Sequence, residues 1–405
     1  MLCSSSRGRI ASVIAGVLLI APLGVAATAV SPRAAQAEEP SPADMQKRMA
    51  IYRKKLAEYT KAWDAYEKVA APYWRSVSEK RSARRAKRAR GGTITAEDYE
   101  LKQPPIYDGP PKPKNPEEEK KPPPRLIPIV EDFKANAKEH FGFKPQAPAS
   151  EVEFKKAYAK VASAAGLTKE SCVKIYGFES GGNGKYDVQA GLEYDTPGAH
   201  AISTALGYNQ LLTTNSVELL AEAGDEFAAA LGQAAHSATA DRKAQINEKL
   251  IVLRRMINFS RTVPDAWDAH DRLGKTAKGL GVHALNLDVD VGPLLQTEKL
   301  LTSVKFARRS GYTAPLTAAE LEMMNLTGDG NGFDMVQMPQ DMREKVPTSN
   351  FFQRGGYERN PVAQRHNTVA KLLEATDAKM VQEAQLQGAK DLAAAFDAAQ
   401  KSARQ

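Results

Sequence analysis

Apolar and aromatic side chains recur at alternating spacings of four and three between residues 45 and 73: Met45, Met49, Tyr52, Leu56, Tyr59, Trp63, Tyr66, Ala70 and Tyr73. That period predicts an amphipathic helix with a coiled-coil-like seam. Pro72 is expected to limit its regular continuation, because proline lacks the helical N–H donor. Three uses of the seam stay open: self-association, packing on the main domain, or docking a partner protein. The pattern then breaks. Pro104-Pro105, Pro110-Pro111, Pro113, Pro116 and Pro122-Pro123-Pro124 impose extended, polyproline-like chain over 103–126, read either as a semi-rigid spacer or as a strap across the following domain.

Helical signals resume past Ile127. Ser150 with Glu153 forms a capping box that opens a helix to about Ala165, and Thr168 caps a second one ending at Ser180. A third starts at Asn215 or Ser216 and runs to Leu231, and a fourth covers Asp241 to about Ser260. Thr317 with Glu320 makes another capping box ahead of Leu321–Leu326. Period-2 stretches are scarce, so the expected fold class is mainly α, with long loops at 181–204 and 327–360. From Val362 onward a helix rich in Ala, Lys and Gln has a thin apolar face (Val369, Leu372, Leu373, Met380, Val381) and reads as an appended extension. The expected division is therefore 1–37, 38–102 with the amphipathic helix, the linker at 103–126, a catalytic domain at 127–361, and an extension at 362–405.

Charge and targeting change the picture at the N-terminus. Arg7 and Arg9 precede an apolar run from Ile10 to Val25, and Ala35-Gln36-Ala37 supplies a small-x-small cleavage pattern, so residues 1–37 read as a secretory signal peptide. Gly16, Pro22 and Gly24 weaken the alternative of a spanning anchor. The expected location is periplasmic or secreted. Cys3 precedes the apolar run and lacks a lipoprotein context, which leaves the mature chain Cys172 alone and no intramolecular disulfide. The formal charge is +8, and its densest cluster runs through Lys80, Arg81, Arg84, Arg85, Lys87, Arg88 and Arg90. Outside the cytoplasm such a cluster would meet anionic wall polymer or a membrane surface rather than nucleic acid, or would simply be a solvated charge run.

The candidate chemistry centres on Glu179. Cys172, Ile175, Tyr176 and Glu179 share one helix face, so a glutamate stands on an apolar stripe at a helix C-terminus. Partial burial and the negative end of the helix dipole both favour its protonated form. A carboxylic acid that keeps its proton near neutrality is what a glycosidic leaving oxygen needs. Gly181-Gly182 then ends the helix and is expected to let a substrate approach closely.

Glu179-Ser180 at a helix end, followed by Ala205-Leu206-Gly207-Tyr208-Asn209-Gln210-Leu211-Leu212, resembles the paired motifs of the lytic transglycosylases and goose-type lysozymes over about residues 170–225. The resemblance implies a lysozyme-like helical domain and a peptidoglycan-cleaving activity on the MurNAc–GlcNAc bond without a cofactor or metal. It further implies Glu179 as general acid and then base, with Ser180, Asn209 and Gln210 as substrate contacts. Tyr208 is added as a ring to stack on a sugar face. The chain departs from the family pattern at Asn209, where methionine is common, at Thr213-Thr214, where Thr-Pro is usual, and in lacking an Ala-Tyr-Asn-Ala-Gly third motif, for which Gly311-Tyr312 is a weak substitute. Asp187, Glu193 and Asp195 are candidates for a second carboxylate. None is obligatory if the substrate's own N-acetyl group and 6-hydroxyl complete the reaction. A hydrolytic lysozyme and a non-catalytic wall-binding scaffold are the alternatives. Tyr186, Tyr194 and Tyr357 also suit sugar faces, or ordinary partial burial.

Other signals carry less. Gly181-Gly-Asn-Gly184-Lys185 fails the phosphate-loop spacing, and Gly328-Asp329-Gly330-Asn331-Gly332-Phe333-Asp334 is out of register for a calcium loop and reads as a glycine-rich turn. His200, His236, His270 and His283 lack zinc-ligand spacing.

Overall fold

The computed structural model describes residues 41–118, 126–192 and 198–403. The N-terminal stretch expected to be a signal segment, the end of the linker, and Glu193, Tyr194 and Asp195 lie outside the described residues. Among those described, every regular element is helical, and β structure is confined to isolated bridges. The described chain is mainly α, as its periodicity predicts.

In chain order the α-helices are α1 (Pro42–Ala89), α2 (Val130–Phe141), α3 (Glu151–Ala164), α4 (Lys169–Ser180), α5 (Thr213–His236), α6 (Ala240–Ser260), α7 (Trp267–Gly274) and α8 (Ala277–His283). They continue with α9 (Gly292–Arg309), α10 (Ala318–Thr327), α11 (Asp329–Val336), α12 (Gln340–Arg343), α13 (Arg354–Glu358), α14 (Pro361–Arg365), α15 (Val369–Glu383) and α16 (Gln387–Ala403). Two compact units divide them. Of the described residues, the larger comprises 126–339 and 373–403; the smaller comprises 41–118 and 340–372. The expected catalytic block of 127–361 is thus cut at Pro339, and its last stretch belongs with the N-terminal helix.

In the smaller unit α1 runs for 48 residues, straight through Pro72. An interior proline costs a helix roughly 3 kcal/mol. Side chains on both sides of it are fixed by tertiary contact, which offsets that cost: Ala70, Trp74 and Val77 are buried, and the Tyr73 hydroxyl lies 2.6 Å from Ser349 Oγ. The basic cluster is largely turned inward. Arg81 donates to the carbonyls of Asn350 and Phe352, Arg84 donates to Asp98 O and lies 4.1 Å over the Tyr99 ring, Lys80 donates to Tyr99 O, and Lys87 pairs with Asp98. These four cations satisfy main-chain carbonyls and an acid of their own unit. The Pro-rich segment lies back on α1: the Tyr107 ring meets Tyr59, Trp63 and Tyr66 at 6.0, 5.2 and 5.5 Å. Part of the aromatic seam is therefore covered by the chain's own linker.

The larger unit has two apolar centres. The first gathers Phe133 of α2, Leu220 and Phe227 of α5, Leu253 and Ile257 of α6, and Leu295 of α9. In the second, Phe154 and Tyr158 of α3 and Cys172, Ile175 and Tyr176 of α4 meet Met380, Leu392 and Phe396 from the C-terminal pair. The C-terminal segment is thus core rather than an appendage: α16 packs along α3 and α4. Its thin stripe works because small residues allow close approach. A Cβ on Gly388 would fall 2.6 Å from the Tyr176 hydroxyl. The expected loop at 327–360 is also mostly helical, and the glycine-rich 328–334 stretch largely forms α11.

Candidate active site

α4 begins where Thr168 Oγ1 accepts the Ser171 N–H at 3.1 Å and ends at Gly181, whose φ of +64° is left-handed. Gly182 follows with φ +70°, and a Cβ there would lie 2.7 Å from Glu383 O. Its carbonyl accepts the Ala389 N–H at 3.0 Å. The second glycine therefore admits the α15–α16 turn, rather than a substrate as its sequence setting predicts.

Glu179 occupies the last turn of α4. It keeps partial solvent access while Cys172, Ile175 and Tyr176 on the same stripe are fully buried. Opposite stands α10, closed at its start by the reciprocal Thr317–Glu320 capping box. This helix is buried on nearly all sides (Leu321, Met323, Met324), so its Glu322 has no solvent face to occupy and is 0 % exposed. Glu322 and Asn325 lie three residues apart, hence on one face of α10. Asn325 Nδ2 donates to Glu179 Oε1 at 3.2 Å. That bond brings the Glu322 face of α10 against Glu179, and the two carboxyls bear on one another. Neither Glu322 oxygen receives a hydrogen bond from an N–H or hydroxyl among the described residues.

Two carboxylates in contact cannot both ionise at low cost. Desolvation first, then the charge and hydrogen bond of Glu322, hold Glu179 far above the usual carboxylate range. Burial likewise pushes Glu322 up to about 7, against the opposing influence of Glu179, Lys299 and Asn325. The second carboxylate at Glu179 is thus Glu322, which the sequence reading passed over as part of an apolar helix. Asp187, one of the acids proposed for that place, instead bears on Glu151 and Tyr186.

The Gly-x-x-Gln segment forms a tight turn. Leu206 and Leu211 exchange main-chain hydrogen bonds at 2.9 and 3.0 Å, Gly207 has φ +81° and Gln210 has φ +44°. Gln296 of α9 anchors it, with its Oε1 accepting Asn209 N at 2.8 Å and its carbonyl accepting Asn209 Nδ2 at 2.7 Å. Tyr208 and Asn209 are both 0 % exposed. The Tyr208 hydroxyl donates to Glu151, and its ring meets Phe154, Tyr158 and Tyr176 edge-on at 5.2, 5.5 and 4.8 Å. These two residues, expected to contact sugar, hold the turn against the core in this conformation. Ser180 is also buried and donates to Tyr176 O at 2.6 Å. Gln210 is partly buried and gives its amide to Gly207 O at 2.8 Å. The two motifs do converge, but through packing: Tyr208 supports Tyr176, one turn before Glu179. Tyr312 packs edge-on to Phe333 in a small apolar cluster with Ala307, Met324 and Val336.

Cys172 is buried, and burial pushes its thiol up to about 12, so it is a core residue rather than a nucleophile. No group of three or more His, Cys, Asp or Glu among the described residues is placed to hold a metal ion, and none of the described helices is long and apolar enough to cross a membrane. No protein-family model, curated protein or solved structure matches the chain.

Proposed function

We propose that this is an exported peptidoglycan-cleaving enzyme of lytic transglycosylase type, with Glu179 as its general acid and base on a lysozyme-like helical unit. One observation carries the reading: a partly exposed glutamate at a helix end has its carboxyl held well toward the protonated form, because burial and Glu322 disfavour its ionised form. The burial of the second acid selects between mechanisms. Glycosidases that use two carboxylates place them about 5–9.5 Å apart across the sugar. Glu322 is fully buried and has no exposed face from which to reach a sugar or a water, so it is neither a nucleophile nor a water-activating base on the opposite face. The reaction then proceeds with one acid. Glu179 gives its proton to the glycosidic oxygen as the bond to the muramyl C1 breaks, the N-acetyl group assists at C1, and the muramyl 6-hydroxyl attacks and returns its proton to Glu179.

The test is incubation of the mature protein and Glu179→Gln with purified peptidoglycan, followed by mass spectrometry of the soluble products. Anhydro-muropeptides, one water lighter than hydrolytic products and reduced by about 10²-fold or more in the variant, are expected. Reducing-end products instead would make it a lysozyme. The buried state of Ser180, Tyr208 and Asn209 favours a second reading, a wall-binding scaffold without turnover. Pelleting with peptidoglycan while neither protein releases product would establish it.

A further inference from the structure

We propose that Glu179 and Glu322 work as a pair sharing one proton, with Glu322 as the positioning residue that keeps Glu179 in its acid form before cleavage and makes it a strong base afterwards. This deepens, and rests on, the reading of Glu179 as the general acid.

The geometry carries the argument. Glu322 is fully buried, projects from a helix with no wet face, and is offered no hydrogen bond by any described backbone or hydroxyl donor. A carboxylate left in that state would be costly to bury. The groups that bear on it are the Glu179 carboxyl, Lys299 and Asn325, and two carboxyls facing one another are favourable only with a proton between them. Asn325, bonded to Glu179 Oε1, fixes the orientation of the partly exposed member. Lys299 of α9 is the cation that bears on both acids. It lies one turn beyond Gln296, the anchor of the Gly-x-x-Gln turn, so α9 links that turn to the pair.

The other charged groups near these helices are already engaged. On α10 Glu320 closes the capping box. On α11 Asp329 accepts from Ser303 Oγ at 2.6 Å, and Asp334 is buried. Beside α4, Glu383 is paired with Lys379 on α15, and Lys174 bridges Glu170 and Asp377. On α3 Glu151 is bound by the Tyr208 hydroxyl, with Lys155 near it; on α16 Asp397 pairs with Lys169, and Asp391 bears on Lys155 and Tyr176. None of these supplies the missing donor to Glu322.

The proton account balances over one turnover. In the one-proton state Glu179 carries the proton and Glu322 the charge. Once Glu179 has protonated the leaving oxygen, two carboxylates face each other, which raises the affinity of Glu179 for the proton of the attacking 6-hydroxyl. Taking that proton restores the starting state.

The test is a pH titration of the mature protein carrying glutamate labelled with ¹³C at the side-chain carboxyl, followed by NMR, with Glu179→Gln and Glu322→Gln for assignment. Two resonances that both respond to two titration steps in the wild type are expected. In Glu322→Gln, Glu179 should titrate in one step at least about one pH unit lower, as a coupled pair requires. Independent titration of both carboxyls in the ordinary range overturns the proposal without any variant. In muropeptide release, Glu322→Gln should move the alkaline limb of kcat/KM to lower pH by a similar amount; a purely structural role would depress the rate at every pH and leave the limb in place. Coupled titration in a protein that releases no muropeptides keeps the pair and removes the glycosidase reading. Release with an alkaline limb unmoved by Glu322→Gln keeps Glu179 and removes the pair.

Discussion

Among the described residues of the larger unit two carboxylates are wholly buried, and they are opposites. Asp288 accepts from Lys249 Nζ at 2.7 Å and from three main-chain N–H groups, those of Gln146, Asp290 and Val291, at 2.9, 3.0 and 3.2 Å. Lys249 is paired in turn with Asp290, which also holds Arg242 at 2.5 Å. Asp288 thereby ties the start of α9 to α6 and to the segment ahead of α3. Glu322 has equal burial, no hydrogen-bonded donor, and another acid as its neighbour. Burial of a charge is common to both. What separates a structural acid from a candidate for chemistry is whether the fold supplies donors to satisfy the carboxylate or withholds them.

Removing each acid should therefore have effects of opposite sign. Asp288→Ala strands Lys249 in the interior and leaves three N–H groups without their acceptor, so a loss of about 3–5 kcal/mol is expected, read from the urea midpoint. A loss below about 1 kcal/mol would dissolve the contrast. Glu322→Gln should stabilise at alkaline pH. Its folded pKa is raised from 4.5 to about 7. The wild type therefore has full stability from this group below about pH 4.5, where it is protonated folded and unfolded alike. That contribution, on the order of 3 kcal/mol, is lost as pH rises through about 7. The variant should match the wild type near pH 4.5 and exceed it at pH 8.5 by up to that amount. Equal destabilisation at both pH values would count Glu322 with Asp288. The smallest change is Tyr208→Phe, which deletes the hydroxyl that meets Glu151. About 1–2 kcal/mol of stability should disappear, with pelleting on peptidoglycan unchanged, because the ring has no exposed surface. Weakened pelleting by a folded variant would restore Tyr208 as a sugar contact.

The helices were largely legible in the chain because their signals are local. The Thr317–Glu320 and Ser150–Glu153 spacings mark the starts of α10 and α3, and Thr168 and Gly181 bracket α4 to the residue. Local signals failed where long-range contact outweighed them. Pro72 reads as a limit to α1, but Trp74, Val77 and Arg81 beyond it are buried and keep the helix going. The C-terminal stripe reads as too thin for a core, yet Ala389 and Ala395 are buried there, because small side chains and Gly388 admit close helix packing that a periodicity count of large residues underweights. The assignment of 340–372 to the unit of α1 rests on pairs such as Arg354 with Glu67 and Asn350 with Glu100, some 250 residues apart or more, which no local pattern encodes.

The candidate site shows the same division. The sequence alone determined that Glu179 sits at the glycine-capped end of a helix on an apolar stripe, since helical period and turn residues are written within a dozen positions. Only the tertiary structure decided that Tyr208 and Asn209 face inward, that Gly182 makes room for a neighbouring helix turn, and that the partner of Glu179 is Glu322 from a helix more than 140 residues later. An acid in an apolar helix has no meaning until its neighbour is known, because its protonation depends on the donors and charges the fold brings to it, and those come from distant parts of the chain.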